Sequence, residues 1–203
     1  MTRRAVFWLV LGILLFALCT GLGAVERQRR SWYIGFGVGS GFEAAIGDEF
    51  DSYDFKDFLT GLETITPKIS LNFKVGGTLS PNLLLGFDIT AVGQLGTDVI
   101  GTQHLQINNY FAMLTWFPLQ KGFFVRGGGG FSTLISIIST PTFDESEIYS
   151  GAGLLAGIGY AFWLGKHFNL TLNLDHSRQF FVEPSDGPDR GRFTIVYVGF
   201  DWY

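Results

Sequence analysis

Asp175, His176 and Ser177 stand side by side and on paper supply an orienting acid, a base and a nucleophile. Hydrolysis by such a set needs its side chains on one side of the backbone. The flanking text argues otherwise, because Leu170, Leu172 and Leu174 alternate with Asn169, Thr171, Asn173 and Asp175 in the period of a β-strand. Strand neighbours project to opposite faces, so His176 and Ser177 cannot pair while the strand continues. His104 opens another alternating segment and His167 lies in a turn, and no two of the three histidines have metal-ligand spacing. No catalytic residue, metal or other cofactor is expected.

Three further groups carry charge or aromatic surface. Glu43, Asp48, Glu49, Asp51, Asp54, Asp57 and Glu63 crowd one segment with a single base, Lys56, but lack the ligand spacing of a calcium loop, so they read as a solvated surface loop. Phe50, Tyr53, Phe55 and Phe58 are threaded through it and either fold back over the protein or offer contacts to a host molecule or hydrophobic solute. Gly127 to Gly130 is no phosphate loop, since it lacks the following Lys and Ser or Thr. The third group is Lys68, Lys74, Asp88, Arg126, Asp175 and Asp201, three positive and three negative, and their role depends on the elements that carry them.

Those elements are eight alternating segments. They run over about 31–42, 65–78, 83–92, 104–117, 123–133, 148–163, 168–177 and 193–203. Ile69, Leu71, Phe73 and Val75 oppose Lys68, Ser70, Asn72 and Lys74 in the cleanest alternation; Val196, Val198, Phe200 and Trp202 oppose Tyr197, Gly199 and Asp201 in the last. In 104–117 the two faces compete, Tyr110, Leu114 and Trp116 against Phe111, Met113 and Phe117. The separators alternate long and short: long at 43–64, 93–103, 134–147 and 178–191, tight at Leu79–Asn82, Pro118–Gly122 and Leu164–His167. An even number of strands with turns at one end and loops at the other is the plan of an up-and-down barrel.

The chain begins with Arg3 and Arg4, an apolar run from Ala5 to Leu18, and small residues at Gly21, Gly23 and Ala24. That is a secretory signal peptide over residues 1–24, too short for a membrane span and leaving 25–203 as one barrel domain. Cys19, the only cysteine, lies inside it, so the mature chain has no disulfide framework. A net charge of −4 excludes a nucleic-acid binder built on basic stripes. Hydrophobic residues at 47% without a later spanning helix fit strands that show alternate residues to lipid. A soluble barrel or periplasmic sandwich is the competing architecture.

The fold class expected is all-β, an eight-stranded antiparallel up-and-down transmembrane β-barrel. Its interior is just wide enough for side chains. Lys68, Lys74, Asp88, Arg126, Asp175 and Asp201 all fall on inward faces, where they form a salt-bridge network with Asn72, Thr90, Asn169, Thr171 and Asn173. That network either holds the barrel shut or lines a gated solute route.

With its eight-strand plan, the segment FFVRGGGGF and the aromatic end FDWY, the chain resembles the small bacterial outer-membrane barrel families typified by the OmpA membrane domain, OmpX and OmpW. The resemblance implies an integral outer-membrane protein with a periplasmic N-terminus and four long extracellular loops. It further implies outer-membrane lipids and the barrel insertion machinery as partners, with Phe200, Trp202 and Tyr203 as the assembly signal. A monomeric, non-enzymatic, structural and surface-interacting protein is expected; an OmpW-like narrow channel for small hydrophobic or polar solutes is the alternative.

Overall fold

The computed structural model describes residues 29, 31–46, 69–97, 102–119, 122–139, 142, 144–182 and 188–203. Eight strands follow in order: β1 (Trp32–Ile46), β2 (Ile69–Ser80), β3 (Leu83–Thr97), β4 (Thr102–Trp116), β5 (Phe123–Ser139), β6 (Asp144–Trp163), β7 (Phe168–Val182) and β8 (Arg190–Trp202). Each pairs antiparallel with its sequence neighbours, and β8 pairs with β1 to close the ring. Closure leaves no exposed sheet edge, which is what allows a sheet to cross hydrocarbon.

The register fixes the barrel's dimensions. Tracing partners from Trp32 through Gly77, Leu85, Leu114, Gly127, Ala156, His176 and Thr194 returns to β1 at Phe42, ten residues along from Trp32. With eight strands, that stagger sets a tilt of about 40° and a backbone radius of about 8 Å. The lumen can therefore hold side chains but no open water column.

Alternation sorts the two surfaces. Trp32, Phe36, Leu71, Leu85, Leu114, Phe131, Leu154, Leu174, Val196, Phe200 and Trp202 are exposed on the outer wall. Trp32, Trp116, Phe168 and Trp202 ring the end with the tight turns, where Phe168 stacks on Phe200 at 5.8 Å between centroids. An apolar wall with an aromatic rim matches a lipid-facing surface. On β4 the inward set is Ile107, Asn109, Phe111, Met113 and Thr115, leaving Tyr110, Leu114 and Trp116 outside.

At the other end the expected long loops need correction. Pairing continues through three of the four separators: Gly93↔Gln106 to Thr97↔Thr102, Leu134↔Tyr149 to Ser139↔Asp144, and Arg178↔Arg192 to Phe180↔Arg190. The strands outrun the apolar band because pairing satisfies the backbone whether or not lipid lies outside. Outward residues there include Asp144, Ser146, Arg178 and Arg192, and their polarity mimics a loop. The first separator also begins as strand, up to Ile46. The proposed signal segment 1–24, the acidic loop with Phe50, Tyr53, Phe55 and Phe58, and Lys68 lie outside the described residues.

Candidate functional site in the barrel lumen

Five inward charges come together in the lumen. Arg126 on β5 is 6% exposed and lies between two carboxylates on strands beyond its neighbours. Its Nη2 donates to Asp88 Oδ2 on β3, while its Nε lies 3.4 Å from Asp175 Oδ1 on β7, long and poorly aligned for a hydrogen bond. Lys74 on β2 reaches Asp201 Oδ1 on β8 at 3.9 Å and donates to Asn173 Oδ1 at 3.4 Å, with its ammonium 5.1 Å from the centre of the Tyr197 ring. The groups span strands spaced around the whole ring. Burying each ion is expensive, and the mutual attraction offsets that cost only while both signs are present.

Glycines make the room. Gly157 is the register partner of Asp175, and Gly35 that of Asp201. A Cβ on either would overlap the partner's carboxylate oxygen. Each buried acid therefore occupies the space that a glycine on the adjacent strand leaves vacant.

Neutral hydrogen bonds extend the network. Asn72 donates to Thr90 at 2.7 Å, and Asn173 Nδ2 donates to Thr171 Oγ1 at 3.0 Å. Asn169 is fully buried nearby. A second ladder was not expected from the sequence: Ser132 donates to Asn109 Oδ1 at 2.6 Å, and Gln179 Nε2 reaches both Asn109 Oδ1 at 3.1 Å and Ser177 Oγ at 2.6 Å. Its signal was hidden, because Asn109 sits on the strand with competing faces and Gln179 in a stretch read as loop.

Two apolar layers bracket the polar middle. Towards the loop end lie Val92, Leu105, Ile107, Leu134, Tyr149, Phe181, Phe193 and Ile195. Towards the turn end lie Tyr33, Leu84, Phe117, Phe124 and Ala161, with Tyr203 packed against them. Arg29, 2% exposed, adds its guanidinium over the Phe117 ring at 3.4 Å. Burial, reinforced by the nearby Asp201 charge, raises the Tyr203 hydroxyl's pKa, so it stays protonated. Arg29 precedes the first strand, where no alternation in polarity points to it.

The remaining candidates are dispersed. Ser177 and Asp175 are buried in the lumen, whereas His176 faces outward with its Nδ1 2.8 Å from Thr194 Oγ1. His104 lies on the outer face of β4 and His167 in an exposed turn. Phe200 and Trp202 end the outward series of β8, while Tyr203 turns inward, 5.7 Å from both Tyr33 and Trp163 between ring centroids. The arrangement can hold the lumen closed and resist its collapse; among the described residues it brings together no nucleophile and base.

No family model matches the chain, and no curated protein matches it. Solved structures do. Neisserial surface protein A aligns with a TM-score of 0.56 and 12% identity over 84% of this chain and 96% of its own. Ail, the attachment invasion locus protein of Yersinia pestis, seen in complex with the heparin analogue sucrose octasulfate, aligns with a TM-score of 0.55 and 12% identity over 85% of this chain and 99% of its own. Closed eight-strand ring, apolar outer wall, filled lumen and these neighbours agree: the chain has the fold of the small eight-stranded bacterial outer-membrane β-barrels.

Proposed function

We propose that this protein is a non-enzymatic, closed outer-membrane barrel that reinforces the envelope and presents its loop end for surface contacts. The observation that carries this reading is the three-layer lumen. An ion-paired middle between Asp88, Arg126 and Asp175 is bracketed by the Val92–Phe193 and Tyr33–Phe124 apolar clusters, which together with the hydrogen-bonded Ser132–Asn109–Gln179 ladder put paired and apolar side chains where a channel would need an open polar path. A narrow solute channel needs such a path, and a greasy one would not enclose five charges. The turn end then faces the periplasm and the strand extensions face outward. Phe200 and Trp202 on the closing strand serve as the assembly signal, with Tyr203 anchored inside.

The test joins three measurements on the mature chain. Refolded in detergent, it is expected to migrate on a gel as a compact, heat-modifiable species with a β circular dichroism spectrum. In planar bilayers it is expected to show no single-channel steps. On intact cells, protease is expected to cut within 47–68 and to leave the turn end untouched. Steady conductance would defeat the closed-barrel reading, and folding in plain buffer would defeat the membrane reading.

A further inference from the structure

The buried charges balance only when a residue outside the strands is counted. Among the described residues, Asp88, Asp175 and Asp201 are buried on the strands with Lys74 and Arg126, three negative charges against two positive, and Arg29 is the third buried cation. It enters the barrel at the turn end, ahead of β1.

The walls around its guanidinium are aromatic. The centre of the Phe117 ring lies 3.4 Å from it and that of Trp163 5.4 Å, and the Tyr203 side chain hydrogen-bonds with it. Asp201 adds a negative charge from the lumen side. A planar, weakly hydrated cation against ring faces, with an anion behind it, is how aromatic cages hold such groups. The walls are pinned by backbone bonds that do not involve Arg29: the Phe117 N–H donates to the Asn82 carbonyl and the Tyr203 N–H to the His167 carbonyl, each at 2.8 Å.

The occupant arrives by a strained approach. Ser31 has a φ of 78°, in the left-handed region that favours glycine, and its carbonyl accepts the Thr78 N–H at 2.9 Å. A serine stays in that conformation only where its surroundings impose it. The Thr78 bond on one side and the seated guanidinium on the other do so.

We infer that the turn-end mouth is a guanidinium-binding cage, formed by Phe117, Trp163, Tyr203 and Asp201, whose resident ligand is the chain's own Arg29. Arg29 acts there as a removable stopper: it closes this end of the lumen and brings the buried charge to zero. Emptied, the cage is a net-negative vestibule that admits a guanidinium from another molecule. That the vestibule faces the periplasm rests on the orientation proposed above.

The experiment places a reporter cysteine at Ala161, buried in the same apolar layer, in the detergent-refolded mature chain. The sequence's one cysteine, Cys19, lies in the proposed signal segment, so the background is free of thiols. With Arg29 present, labelling by methanethiosulfonate reagents is expected to be slow. Arg29→Ala is expected to speed it roughly tenfold, and more for a trimethylammonium reagent than for a sulfonate one. Millimolar ethylguanidinium is expected to slow labelling of the Arg29→Ala protein again, whereas uncharged ethylurea is not, and Phe117→Leu is expected to abolish that rescue. A reporter at Lys166→Cys, in an exposed turn, is expected to label at one rate throughout. Equal labelling of Ala161→Cys with and without Arg29 would overturn the proposal. So would an acceleration that ethylguanidinium leaves untouched, which is the behaviour of a barrel merely loosened by the substitution. Heat-modifiability reports whether each variant has folded. The membrane reading fails by a different result, folding in plain buffer, so the labelling ratios alone decide the cage.

Discussion

Arg126 is the group whose removal tests the lumen most directly. It is the cation shared by Asp88 and Asp175, and both acids are buried, at 2% and 0% exposure. Arg126→Met keeps much of the side-chain volume but leaves two carboxylates with Lys74, which is already engaged by Asp201. Breaking a buried ion pair by removing one partner costs about 3–5 kcal/mol. With a urea slope of about 1–3 kcal/mol per molar, the unfolding midpoint of the detergent-refolded barrel drops by about 2 M. The triple variant Arg126→Met/Asp88→Asn/Asp175→Asn removes the stranded charge and is expected to recover most of the loss, because replacing a whole ionic cluster by neutral groups is close to neutral. Tryptophan fluorescence and heat-modifiability, followed along the same titration, give the midpoints. A single variant as stable as wild type, or a triple variant no better than the single, would refute the claim that the charges act as one buried network.

Other outcomes follow from the same structure. Gly157→Val drives a side chain onto the Asp175 carboxylate and the Leu174 carbonyl, and is expected to cost about 1–3 kcal/mol in urea unfolding, whereas Gly127→Ala, whose nearest neighbour would be 3.6 Å away, leaves the midpoint unchanged. Phe181→Ala, which hollows the loop-end apolar layer, is expected to lower stability by about 3–5 kcal/mol, read from the same titration. Phe200→Ser with Trp202→Ser is expected to reduce the heat-modifiable protein recovered from cell membranes while refolding in detergent survives, separating recognition during assembly from stability.

What the residues revealed in advance tracks how strongly lipid and lumen impose opposite demands. In 69–75 every outward residue is apolar and Ser70, Asn72 and Lys74 point in, so strand, facing and lumen charge were all legible. On β4 the lumen is itself partly apolar: Phe111 and Met113 pack inward with Leu155, and alternation in polarity vanishes although alternation in space persists. Beyond the apolar band the outer demand lapses, so Asp144 to Glu147, and Arg178 to Phe180 with their partners Arg190 to Arg192, read as loop while remaining paired. The salt-bridge partners were named from facing alone. Which cation meets which acid depends on a ten-residue stagger that local periodicity does not encode.

The strand extensions change what an approaching molecule would meet. Pairing up to Thr97↔Thr102 and Ser139↔Asp144 leaves only short connections at those two hairpin tips. At these two hairpins the rim is consequently a stiff, ladder-bonded palisade. A ligand docking on it loses little free energy to ordering the protein, so specificity resides in a fixed three-dimensional outline. Antibodies raised against linear peptides from 134–147 are accordingly expected to recognise the boiled chain far better than the folded barrel, and antibodies raised against the folded barrel to show the reverse preference.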